Sequence, residues 1–323
     1  MVLVVSLIFL QGMISEAHFS NLSNLSKLWT LYLSSNSLAL EFNFNWVPPF
    51  QLDQIQLSSC NLGPRFPNWI RTQRNISVLD ISNAEISDTI PAEWFANLPP
   101  TLILLNLSRN QIHGGLPNVS TNFLNALVID LSDNRLEGPL PLFPTALTIL
   151  NLARNRFLGS VLFVCKITDD ILWYIDLSNN LLSGRLPNCF SYWSQLYILN
   201  FANNNFFGEV PNSLGKLHEL ETLNLHNNTL NGELPSSKNC KLLKFVDLGD
   251  NRFTGTVPPW IGEGLPQLIV LILRSNKFVG SIPLQLCHLI YLRILDLSMS
   301  DISGAIPQYL NNLTAMAEKG NDS

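Results

Sequence analysis

Apolar and polar residues follow one frame along this chain, and the frame keeps returning. In Ile171–Pro187, ILWYIDLSNNLLSGRLP, apolar residues stand at Leu172, Ile175, Leu177 and Leu182, with Asn180, Gly184 and Pro187 at fixed places among them. The frame recurs as LYILNFANNNFFGEVP, LETLNLHNNTLNGELP and LIVLILRSNKFVGSIP. Aligned on the Asn, it is found at Asn36, Cys60, Ala84, Asn110, Asn134, Asn155, Asn180, Asn204, Asn228, Asn251, Asn276 and Ser300, at spacings of 21 to 26 residues. Ile175 and Leu177 flank Asp176, the period-two alternation of a short strand with one face inward. A unit of this size cannot bury its own apolar residues and must stack on its neighbours.

Such a period with L-x-x-L-x-L-x-x-N inside it is the leucine-rich-repeat signature. It predicts an α/β leucine-rich-repeat solenoid: a curved right-handed coil with a parallel β-sheet on the concave side and 3₁₀, short helical and β-turn segments on the convex side. The Asn falls where the chain leaves the strand and turns inward. A backbone group left unpaired there costs about 1–3 kcal/mol. An Asn side chain both donates and accepts, so a ladder of Asn36, Asn110, Asn134, Asn155, Asn180, Asn204, Asn228, Asn251 and Asn276 satisfies the turns of adjacent units. Cys60, Ala84 and Ser300 are poorer substitutes, and the ladder is expected to weaken there. Gly recurs four residues past the ladder and Pro seven past it, turning the chain toward the convex side.

The repeats override the prior from 323 residues of about two domains. Residues 21–314 read as one solenoid of about twelve repeats, with 315–323 a frayed tail. Residues 1–20 are either a degenerate repeat or a signal-like apolar segment. No Lys or Arg precedes the apolar run, which favours the repeat, since a signal peptide carries a basic n-region. Leu10, Gly12 and Ile14 fit its L-x-G-x-I piece. Neither end supplies the polar cap that repeat arrays need, which suggests a piece of something longer. Charged residues are only 13% and the net charge is −5, against a nucleic-acid footprint. No run of eighteen apolar residues is present to span a membrane. Of five cysteines, Cys165 and Cys189 sit at matching places in adjacent units and could pair on the convex side, while Cys60 reads as a buried thiol. No cluster suggests a metal, and no cofactor is implied.

The phrases NWVPPFQL, LSSCNLGPRFPNWI, DISNAEISDTIP, ELPSSKNC, LRSNKFVGSIPLQLC and LNNLTAMAEKG go further. With them the chain resembles the plant receptor-like proteins of the fungal-xylanase-receptor type over residues 21–314. The resemblance implies an extracellular position at the plasma membrane, N-glycosylation, immune perception, and signalling through a partner receptor kinase. Gln308 and Tyr309 stand where that family carries a Cys, which leaves Cys287 without its mate. Two other readings stay open: a secreted enzyme inhibitor of the polygalacturonase-inhibitor kind, and a non-functional truncated receptor fragment.

Candidate sites follow from the frame. Of eight N-x-S/T sequons, Asn75, Asn118 and Asn312 are the ones expected to carry glycans, whereas a glycan on Asn106 would stand on the concave face. Trp173, Tyr174, Tyr197, His226, Phe245 and Arg274 project from that face. Aromatics with Arg are the composition of binding hot spots. The plain alternative is a generic sheet surface. The ligand would be a protein, peptide or glycan. Catalysis is not expected, because outward acids two strands apart stand about 10 Å from each other, beyond either glycosidase geometry. The histidines likewise scatter without a nucleophile.

Overall fold

The computed structural model describes residues 1–8, 10–20, 27–117, 127–308 and 312–316. The chain divides into two compact units, Met1–Phe157 and Leu158–Ser323. In the first, Val2–Val4, Thr30–Tyr32, Gln54–Gln56, Val78–Asp80, Leu104–Asn106, Val128–Asp130 and Ile149–Asn151 pair side by side, each parallel to the next. In the second, Tyr174–Asp176, Ile198–Asn200, Thr222–Asn224, Phe245–Asp247, Val270–Ile272 and Ile294–Asp296 do the same. Register is exact from rung to rung: Ile175 faces Leu199, then Leu223, Val246, Leu271 and Leu295.

The alternation sets which side is core. From Gln54–Gln56 to Val270–Ile272 the central residue of each strand is buried and its two neighbours are half-buried. Burial of a Leu or Ile contributes roughly 1.5–3 kcal/mol, and it is repeated in every rung. On the far side, short helical segments begin directly after Pro67, Pro91, Pro211, Pro259 and Pro283. Proline suits that place, having no N–H to leave unpaired and a fixed φ. Trp69, Trp94 and Trp193 pack inside there, and Trp193 Nε1 donates to Ile167 O at 2.8 Å.

The ladder asparagines are buried and bonded to backbone. Asn110 Nδ2 donates to Ile81 O and Leu107 O at 3.0 Å, and its Oδ1 accepts the Ala84 and Ile86 N–H groups at 3.0 Å. Asn134, Asn155, Asn228, Asn251 and Asn276 repeat this pattern. Asn180 donates to Leu177 O at 3.1 Å within its own rung. The substitutes hold less: Cys60 Sγ reaches Leu33 O at 3.1 Å, and Ser300 Oγ has no partner among the described residues. Asn36 extends the ladder to the first rung, donating to Val5 O and accepting the Leu10 N–H at 3.0 Å. Gly12 there takes φ +123, the positive φ that the Gly of the frame adopts elsewhere.

The residue before each ladder position adopts a left-handed backbone, with φ of 50–62 from Ser35 to Met299. That conformation favours Asn and Asp among non-glycine residues. Hence Asn83, Asp133, Asn179, Asn203, Asn227 and Asp250 stand at this place.

Cys165 and Cys189 are joined, with S–S 2.08 Å and Cα–Cα 5.6 Å. Cys60, Cys240 and Cys287 are free and buried. Burial pushes the Cys60 and Cys240 thiols up to about 11, against weaker opposing hydrogen bonds.

Candidate ligand-binding face

The outward face of the Leu158–Ser323 sheet carries every residue singled out for recognition. The strand frame orders them in rows. The residue just ahead of each strand is Trp173, Tyr197, Glu221, Lys244, Ile269 or Arg293. The first four of these are linked across rungs. The Trp173 and Tyr197 rings stack with centroids 5.1 Å apart at 15°, and Trp173 is 43% exposed. The Tyr197 hydroxyl donates to Glu221 Oε2, and Lys244 Nζ reaches the same oxygen at 2.6 Å. Burial alone would raise the Glu221 carboxyl, but the Lys244 and Tyr197 hydrogen bonds outweigh it and hold it below its ordinary value. Its hydrogen bond to Glu221 in turn raises the Tyr197 hydroxyl, and the same carboxylate raises the Lys244 ammonium.

Tyr174 and Phe245 open their strands and are half-buried. Tyr174 OH points at Asp176 Oδ2, 3.3 Å away, and Asn200 Nδ2 donates to that oxygen at 2.9 Å. Phe245 lies between Thr222 and Val270 in register.

Past the strands stands a second linked group. His226 Nδ1 is 3.4 Å from Asp247 Oδ1, and Nε2 is 3.3 Å from Asp250 Oδ2. Arg274 Nη2 meets that same Asp250 oxygen at 3.2 Å. Burial acts upward on the Asp250 carboxyl. Hydrogen bonds from Ser275 and Arg274, with the charges of His226 and Arg274, bring it below the ordinary carboxylate range. The sheet face thus holds two tied polar clusters with the row Ile198, Thr222, Phe245 and Val270 between them, apolar except at Thr222.

Glu221, Lys244, Asp247, Asp250 and Gly249 belong to this face as much as the six aromatic, His and Arg residues do. Their signal in the sequence is position: each stands at a fixed offset from a ladder Asn. Among the glycosylation candidates, Asn75 and Asn312 are exposed, and Asn118 lies outside the described residues. Asn106 is half-buried, its Oδ1 accepting the Ser108 N–H at 3.0 Å. A groove of about 680 Å³ lies instead on the turn side of the first unit, lined by residues such as Arg71, Arg74 and Glu93. Arg71 there is bonded to Asn68 at 3.0 Å and stands 3.8 Å from Glu93. No group of three or more metal-ligating side chains occurs among the described residues. No helix among them is long and apolar enough to cross a membrane.

Comparison with known proteins agrees with the repeat frame. The Leucine Rich Repeat family matches residues 172–193, 195–217, 219–238 and 242–263. The chain is 51% identical over 309 residues to Receptor-like protein EIX2 of Solanum lycopersicum, covering 96% of this chain and 30% of that one. It is 49% identical over 312 residues to Receptor-like protein EIX1 of the same plant, covering 97% and 30%. The chain therefore spans about 30% of the length of these relatives. Among solved structures, the plant peptide hormone receptor RGFR1 in complex with RGF2 superposes with a TM-score of 0.79 at 28% identity, over 90% of this chain and 46% of that one.

Proposed function

Because the chain belongs to the plant leucine-rich-repeat receptor-like proteins, we propose that it is the ligand-recognition region of such a receptor at the cell surface, working in immune perception through a partner receptor kinase. It is not an enzyme, in keeping with those relatives. The ligand is an extended peptide or protein segment lying across the strands on the open face of the Leu158–Ser323 unit. The supporting observation is the stacked pair Trp173 and Tyr197, tied into Glu221 and Lys244. A rigid exposed ring beside a fixed charge pair matches the makeup of binding hot spots. RGFR1 is itself a receptor of the same fold bound to a peptide hormone, which supports the choice of ligand class.

The test is direct binding. The chain, secreted from plant cells and immobilised, is challenged with fungal xylanase and with a displayed random-peptide library, beside a Trp173→Ala/Tyr197→Ala variant of equal melting temperature. Binders that lose about tenfold or more in affinity on the variant support the reading. Binders indifferent to the variant place recognition elsewhere and overturn it.

A further inference from the structure

Asn75 opens the sequon Asn75-Ile76-Ser77, just ahead of the strand Val78–Asp80. The rest of the sequon is fixed. Ile76 is buried, and the Ser77 N–H and hydroxyl donate to Asp53 O at 2.7 and 3.2 Å. Asn75 itself is exposed, and its side chain has no hydrogen-bond partner among the described residues.

The Asn75 side chain borders an open groove. With Val47, Gln51, Arg71, Thr72 and Arg74 it lines a space of about 650 Å³. Through Arg71, Thr72 and Arg74 that space adjoins the groove of about 680 Å³ described above, which Trp94 also lines. Each is within the size of small-ligand sites, roughly 300–1,000 Å³. The lining suits a sugar. Val47 is 64% exposed and offers an apolar surface to the C–H face of a ring, while hydroxyl and acetamide oxygens accept from guanidinium N–H groups. The Arg74 guanidinium has no hydrogen-bond or ion-pair partner among the described residues. Arg71 is tied only to Asn68 and, at 3.8 Å, to a Glu93 side chain that is 90% exposed. Gln51 holds the wall between them, accepting the Arg74 backbone N–H at 3.0 Å and donating to Thr72 O at 3.1 Å.

We propose that Asn75 carries an N-linked glycan whose first sugars lie along this groove, against Val47 and Arg74, and brace the turn segments of neighbouring rungs. Attachment makes the contact intramolecular, at an effective concentration on the order of millimolar. A contact too weak to hold a free sugar is then filled by a tethered one. The brace falls where the Asn ladder lapses. Val47 and Gln51 lead into the strand whose ladder position is Cys60, and Arg71 and Arg74 into the one whose ladder position is Ala84. Cys60 Sγ makes a single bond, to Leu33 O, and Ala84 has no polar side chain to offer. This inference concerns the first unit and is independent of the peptide reading of the other sheet face.

Glycopeptide mass spectrometry of the full chain secreted from plant cells is expected to find Asn75 occupied. Phenylglyoxal labelling of Arg74 in the native protein is then compared with Asn75→Gln, which removes the glycan and no hydrogen bond of the polypeptide. Labelling should be several-fold faster in the variant, which should also melt about 3 °C lower. Arg74→Ala separates seating from shielding: it should lower the melting temperature of the glycosylated chain and leave that of Asn75→Gln unchanged. An unmodified Asn75 overturns the inference. So does an Arg74 labelled at one rate with and without the glycan, or an Arg74→Ala change that affects both backgrounds alike.

Discussion

Asn204 Oδ1 accepts the Leu182 N–H of the preceding rung at 3.1 Å, while its Nδ2 donates back across the same boundary to Leu177 O at 2.9 Å. One side chain thereby ties two rungs together through a backbone N–H and a carbonyl that it shares with Asn180. Replacing Asn204 by Leu strands the Leu182 N–H in the core, while Leu177 O keeps its bond from Asn180, and should destabilise the chain by about 2 kcal/mol. Urea unfolding read by circular dichroism measures it. A change below about 0.5 kcal/mol would mean that the ladder does not hold the rungs.

The Cys165–Cys189 bond spans a sequence separation of 24. Closing a loop of that length restricts the unfolded chain by about 3 kcal/mol. The double Ser variant is expected to melt several degrees lower while keeping its circular dichroism spectrum. Equal melting temperatures would show that the bond adds nothing.

With Cys60 and Cys240 pushed up to about 11 and all three free cysteines buried, the native protein should resist thiol reagents at about pH 8. Denatured protein should label at all three. Mass spectrometry after a maleimide pulse gives the count, and rapid labelling of the native form contradicts the packing described.

Two glycines separate conformation from space. A Cβ on Gly262 would stand 1.9 Å from Gln285 O, in the backbone of the neighbouring segment, whereas one on Gly159, at φ +85, meets nothing within 4 Å. Gly159→Ala should therefore cost about 1 kcal/mol of strain alone. Gly262→Ala should cost about 3 kcal/mol or more, because backbone must move. Equal losses in chemical denaturation would refute the close approach.

Glu221, Asp250 and Asp296 all have folded-state values below the ordinary carboxylate range. Such groups stabilise the fold above the unfolded-state value, about 4, and that stability is lost as pH falls through the lower folded values. Melting temperature should decline below about pH 4, and Glu221→Gln should reduce the slope. A melting temperature that rises on acidification would contradict this sign.

The repeat frame made most of this architecture legible. Ile175, Leu177 and Asn180 each serve one neighbour at a fixed offset, so their roles survive translation to every rung. Cys60 and Ser300 break the pattern visibly, and their bonding is correspondingly poor. The face is harder to read. Trp173 and Arg274 stand out by residue type, but Glu221 and Lys244 gain meaning only from contact across rungs. The left-handed turn before each ladder Asn is likewise legible only as a taste for Asn and Asp, since Arg109, Arg154 and Met299 share it.

Pairing within each unit runs only between consecutive rungs, while the spacing between ladder positions ranges from 21 to 26 residues. The stretch from strand to ladder never changes length, so the variation is taken up by the segment that travels round the back. Insertions and deletions there are invisible to the sheet, whereas a single added residue between Phe245 and Asn251 would throw its rung out of step with both neighbours. A lineage can therefore revise what this surface recognises by point substitution, and revise its bulk by editing loops, with neither change disturbing the other.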